Sequence, residues 1–289
     1  MVATGTYSER IGASVASTLG LKHLASHFNT VLISFVAFTA VHLFLAPFFS
    51  KRLFPLSFGQ AGRRAQNNWS IRVVSLLHAL VIIPLAFRAL HVPRLAQDKA
   101  FGWDDRHGTL AAVACGYFLW DSVESAVHYI DVGFVIHGLA CLAIYALSFK
   151  PFLAYYGARF LLWELSTPFL NINWFLDKTG KTGSTLQLIN GLCLLSTFAG
   201  ARLIYGGIMS YDFFQTLYAV RNELPTAYLI IYGLGNVVLQ GLNWFWFTKM
   251  IDALRRRMQP VAKGPVAKVA AGVSSASNAT NLSSVKKFT

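Results

Sequence analysis

The stretch from Gly116 to Gly138, GYFLWDSVESAVHYIDVGFVIHG, sets Asp121, Glu124, His128, Asp131 and His137 among flanks as apolar as lipid tails. Carboxylates and imidazoles in such surroundings hold and move protons, or hydrogen-bond a polar group that has no water to turn to. On a helix, positions i, i+3, i+4 and i+7 share one face. Asp121, Glu124, Ser125 and His128 follow that stripe, with Tyr117 one turn earlier. A second stripe, Glu164, Thr167, Asn171 and Trp174, lies in WELSTPFLNINWFL from Trp163 to Leu176. Ser75 and His78 add a third polar pair, and Asn236, Gln240 and Asn243 a row of amides. The candidates for chemistry are His137 and Asp121. Glu164, Asn171, His78, His128 and Glu124 are candidates for the polar lining of a cavity within the bundle. No metal site is expected, because the eight histidines are scattered singly.

The elements that carry these groups are membrane helices. The chain has 289 residues, of which 55% are hydrophobic and 13% charged, against about 25% charged in soluble domains. A crossing helix needs roughly 20 apolar residues, and seven such runs occur, at about 30–49, 70–90, 109–129, 133–149, 152–176, 185–209 and 226–248. The fold class is therefore all-α, a polytopic membrane bundle of about seven helices, with Pro84 and Pro168 expected to kink their spans. The net charge of +13 does not mark a nucleic-acid binder, since the basic residues cluster between apolar runs. The three cysteines, Cys115, Cys141 and Cys193, all lie inside apolar runs and make no disulfide framework.

The loops set the expected orientation. Lys51, Arg52, Arg63, Arg64, Lys178, Lys181 and the basic tail fall on one side of a seven-span topology, and they outnumber the basic residues of the other loops two to one. The positive-inside rule makes that side cytosolic and the N-terminus lumenal. Residues 1–29 lack the pattern of a cleaved leader and read as a lumenal or interfacial segment. Residues 30–64 hold the first span and a basic loop, 65–255 the polar-studded bundle, and 256–289 a basic tail too poor in apolar residues to fold. The tail ends in Lys286, Lys287, Phe288, Thr289, which resembles the dilysine signal for retrieval to the endoplasmic reticulum by a coat. By depth, His78, Asp121, His128, His137, Glu164 and Asn171 are expected to share one cavity opening towards the cytosolic leaflet.

VSLLHAL at Val74–Leu80, GYFLWD at Gly116–Asp121, VIHG at Val135–Gly138 and the Trp163–Leu176 run occur together and in this order. In these the chain resembles the TLC domain, shared by ceramide synthases, translocon-associated TRAM proteins and the TLCD group, with TLCD the nearest subgroup. The resemblance implies a protein of the endoplasmic-reticulum membrane that acts in membrane lipid homeostasis, with membrane lipids as partners and no cofactor. In ceramide synthases two adjacent histidines serve acyl transfer from acyl-CoA to a sphingoid base. His137 matches the first, and Gly138 stands where the second would be. N-acyl transfer with acyl-CoA as co-substrate is the alternative, and a non-enzymatic scaffold like TRAM is another. The sequence does not decide between a monomer and a homodimer. A seven-helix receptor is excluded, because the last span has neither a mid-helix lysine nor an Asn-Pro pair.

Overall fold

The computed structural model describes residues 6–258. Lys286 and Lys287, with the rest of the tail from residue 259, lie outside them. Among the described residues the chain is all-α. Helix α1 (Tyr7–Leu19) starts on a capping box in which Thr6 and Glu9 exchange hydrogen bonds, and ends on Gly20 at φ +66°, a left-handed turn that glycine adopts without strain. Seven long helical rods follow, one for each expected span: α2 (Leu24–Leu53), α3 (Arg63–Leu90), α4 (Asp105–Val127), α5 (Val132–Leu147), α6 (154–178), α7 (Thr185–Ala219) and α8 (Thr226–Met258). Helices α2, α3 and α7 are long and apolar enough to cross a membrane on length and composition alone, and α5 is a shorter apolar helix. The others carry the polar stripes that dilute their hydropathy.

Helix α4 packs between α2 and α5. Its inner face is built from Gly108, Ala111, Ala112, Ala114, Cys115 and Gly116, all buried. A side chain at Gly116 would meet Ser34 at 2.5 Å, and Ser34 Oγ donates across that contact to the Val113 carbonyl at 2.8 Å. Small residues with a hydroxyl between them let two helices approach closely where the hydrophobic effect gives no drive. Helix α4 begins on Asp104, whose carboxylate accepts from the backbone N–H and the guanidinium of Arg106, each at 2.9 Å. The Arg106 hydrogen bond holds that carboxyl below the usual carboxylate range. Its contribution is therefore present above that range and lost as pH falls through the lowered value. Asp104→Ala is expected to cost about 1 kcal/mol, read as a lower thermal midpoint in detergent.

Three rods are not regular α-helices throughout. Helix α2 opens into a π segment at Val41–Leu45 and α7 into another at Phe198–Tyr205, while α6 tightens to a 3-10 turn at Leu162–Ser166. Pro168 sits in the first turn after that tight segment, where a missing N–H costs least. The expected kink at this proline thus takes the form of a change of helix type one turn upstream. Helix α3 continues through Pro84. Each irregular segment carries a charged or titratable residue into the bundle: His42, Arg202 and Glu164.

Candidate functional site

A cavity of about 50 Å³ lies inside the bundle between α4, α5, α6, α7 and α8. That is room for roughly three or four water molecules, so in this conformation it is a slot. Most of its wall is apolar and aromatic, with Phe118, Tyr145, Tyr156, Phe160, Phe213 and Tyr232. Its polar lining comes from His137, Cys141, Ser148, Glu164, Arg202 and Asn236, with Arg202 and Glu164 3.9 Å apart and Cys141 the same distance from His137.

Arg202 organises that lining. The guanidinium donates from Nε to the Trp163 carbonyl at 2.9 Å and to Ser166 Oγ at 3.1 Å, from Nη1 to Asn243 Oδ1 at 3.2 Å, and from Nη2 to Thr167 Oγ1 at 3.3 Å. Gln240 Nε2 returns a bond to the Arg202 carbonyl at 3.1 Å. The π segment makes this possible: it frees backbone carbonyls and turns residue 202 inward. A buried arginine needs such a set of acceptors, since its charge cannot be shed. Its nearest acid is Glu164, with Oε1 at 3.9 Å from Nη2. The amides of α8, Gln240 and Asn243, are thus ligands of Arg202 and tie α7 to α8.

His137 enters the cavity one turn from Cys141, whose sulfur lies 3.9 Å from both ring nitrogens. Phe118 and Trp246 face the ring edge-on, with centroids at 6.1 and 5.4 Å. Among the described residues no hydrogen bond joins His137 to Asp121, so the pairing expected to orient a catalytic base is not formed. Asp121 packs instead against Gly138. A Cβ on residue 138 would sit 2.9 Å from Asp121 Oδ2, 3.0 Å from Ser122 Oγ and 3.4 Å from the Ser122 backbone. The volume of a second histidine is occupied by the carboxylate of α4. Gly138→Ala is expected to destabilise by about 1–3 kcal/mol through overpacking, read by thermal melts in detergent.

The other candidates lie outside the cavity. His78 is fully buried and stacks on Tyr117 with ring centroids 3.6 Å apart. Asn171 donates to Ser75 Oγ at 3.1 Å. Glu124 and His128 belong to a separate network at the end of the bundle that carries Arg63 and Arg64. Glu124 Oε1 accepts from Asn67 Nδ2 at 2.6 Å and pairs with His128 Nδ1 at 2.8 Å. His42 Nε2 bonds Asn67 Oδ1 at 2.9 Å, and Trp120 Nε1 donates to His42 Nδ1 at 3.4 Å. Asn67 Oδ1 can only accept and the indole can only donate, so these contacts match a ring that donates from Nε2 and accepts at Nδ1. The single shared cavity expected from depth is therefore divided. His137 and Glu164 line one cavity, Asp121 lies against Gly138 of α5, and Glu124 with His128 forms a cluster between α2, α3 and α4. Depth along parallel rods says nothing of rotation about them, and rotation decides which groups meet.

Sequence reasoning missed Arg202. The rule that singled out Asp121, that an ionisable residue inside an apolar run is functional by default, applies equally to an arginine in the middle of the sixth run.

An all-helical membrane bundle with a charged, hydrogen-bonded cluster buried in the wall of an internal slot is the class that fold and site define. The family model of the TLC domain matches residues 68–252, and the chain belongs to the TLC domain family. It is 38% identical over 240 residues to an uncharacterized TLC domain-containing protein of Schizosaccharomyces pombe, covering 82% of each chain. It is 30% identical to TLC domain-containing protein 4 of Homo sapiens, covering 77% of this chain and 87% of that one. It is 27% identical to Topoisomerase I damage affected protein 4 of Saccharomyces cerevisiae, covering 82% and 88%. All the residues that line the cavity fall within the matched region.

Proposed function

We propose that this protein is a multi-pass protein of the endoplasmic-reticulum membrane that holds a lipid or acyl chain in its internal slot and acts in membrane lipid homeostasis. The observation that carries this reading is the cavity itself, whose wall is mostly apolar and aromatic and is joined by the charged pair Arg202 and Glu164 and by His137. A chain lipid has that same division between tail and head. The slot is narrow, so a whole chain requires the walls to part on binding. Asp121 supports the site from behind, by fixing the approach of α4 to α5 at Gly138.

Acyl transfer is the weaker reading. His137 has no carboxylate partner, and the place of a second histidine is filled. The basic loops support a cytosolic C-terminus and lumenal N-terminus. The dilysine pattern of Lys286 and Lys287 supports the organelle, and Lys286→Ser with Lys287→Ser is expected to move a tagged protein beyond the endoplasmic reticulum under the microscope.

The functional test is a lipid profile of cells lacking the protein, rescued at matched levels with wild type, His137→Ala or Glu164→Gln. Wild type is expected to restore a particular lipid class while the variants do not. Full rescue by both variants would remove the cavity from the function.

A further inference from the structure

The polar lining of the slot has hydrogen-bonding capacity of both kinds left unspent. A guanidinium carries five N–H groups. The contacts of Arg202 engage one on each nitrogen, by way of Trp163, Ser166, Asn243 and Thr167. That leaves one N–H on Nη1 and one on Nη2. The Glu164 oxygen nearest to Nη2 is 3.9 Å away, too far for a hydrogen bond. Among the described residues no hydrogen bond reaches the Glu164 carboxylate. The indole N–H of Trp163, adjacent in sequence and lining the same slot, is buried without a partner. His137 offers its ring with no stronger contact than the sulfur of Cys141. Of these groups the Trp163 N–H is fully buried without a partner, and such groups are rare in native proteins and call for one.

The charges decide what kind of partner. Arg202 and Glu164 face each other as one cation and one anion, so the pair is neutral as a unit. An anionic head would stand unpaired against Glu164, and an ammonium head against Arg202, each at the high cost of an uncompensated charge in a dry site. A hydroxyl brings no charge. It accepts from the free N–H of Arg202 and donates to Glu164, closing the gap that the two side chains leave. The apolar, aromatic slot then takes the chain behind it.

We infer that the slot binds a neutral single-chain lipid whose head is a hydroxyl group, with that hydroxyl bridging Arg202 and Glu164. The inference rests on the lipid-binding reading and narrows it to a head-group class. The competing occupant is water alone, which bridges the same two groups and needs no chain.

The test is competition binding on the full-length protein in nanodiscs. The tracer is tritiated oleyl alcohol, and the competitors are unlabelled oleyl alcohol, 1-octadecene, oleate and oleylamine. Oleyl alcohol is expected to bind saturably, and more tightly than the other three by about tenfold or more, the worth of one well-made buried hydrogen bond. Glu164→Gln leaves the guanidinium as the net charge of the site, and is expected to move the preference to oleate. If 1-octadecene competes as well as the alcohol, the head is not read and the inference falls, while lipid binding stands. If oleate or oleylamine wins on wild type, the inference falls as well. If no chain compound binds, water fills the gap and both readings fall. Should Glu164→Gln not fold, the ranking of the four probes on wild type decides alone.

Discussion

Arg202→Ala is expected to lower the unfolding free energy by about 3–5 kcal/mol, the cost of removing one partner from a buried charge pair. The side chains of Arg202 and Glu164 are 8% and 12% exposed, so water does not screen the loss. Without the guanidinium, Glu164 stays as a buried charge with no counter-ion. The Trp163 carbonyl, Ser166 and Asn243 lose their donor, and three helices lose the group that ties them. Arg202→Lys is expected to recover only part of this. An ammonium is a compact point charge, and it does not span acceptors arranged around a planar fork. The double variant Arg202→Met, Glu164→Leu separates charge from packing, since well-packed apolar replacements of a buried pair are often neutral or stabilising. Its melting midpoint in detergent is expected above that of Arg202→Ala and near wild type. A double variant no more stable than Arg202→Ala would mean that the neutral hydrogen bonds, and not the charge, hold the helices.

Glu124→Ala is the second large effect, expected at about 2–3 kcal/mol. Glu124 is 8% exposed and accepts from Asn67 at 2.6 Å and His128 at 2.8 Å, with His42 Nδ1 at 3.7 Å from its other oxygen. Alanine leaves the Asn67 amide with an unpaired donor and loosens His42 in the π segment of α2. His128 is the lesser member, because its side chain is 52% exposed. His128→Ala is expected to cost no more than about 1 kcal/mol. Thermal melts of the two single variants and the double variant measure the coupling. A His128→Ala loss equal to that of Glu124→Ala would contradict a network anchored on Asn67 and His42.

The two clusters show what was legible in the sequence. The seven rods follow from the apolar runs. Asp121, Glu164 and His137 are picked out by the cost of polar groups in lipid. The grouping was not legible, for a geometric reason. On a regular helix Asp121, Glu124 and His128 form one stripe, yet Asp121 faces Gly138 of α5 while Glu124 turns to Asn67 of α3 and His42 of α2. A stripe wide enough to touch two neighbours is divided by where those neighbours stand. The π segments at Val41–Leu45 and Phe198–Tyr205 leave no composition signal, and the second brings in Arg202, which sequence reasoning missed. Gly138 was visible as a departure from the ceramide synthase pattern. That it lets Asp121 pack where a histidine would otherwise stand is a fact of helix packing, which spacing along one chain does not contain.

The most direct measurement is photo-crosslinking of the full-length protein in nanodiscs with a long-chain alcohol carrying a diazirine along its tail, followed by peptide mapping. A chain in the slot is expected to label the inward residues Phe118, Tyr145 and Tyr232, and excess unlabelled oleyl alcohol is expected to suppress that labelling. Label confined to outward residues such as Leu186, Ile189 and Leu192, each more than half exposed, and unmoved by the competitor, would place the chain in the surrounding bilayer and contradict a lipid site inside the bundle.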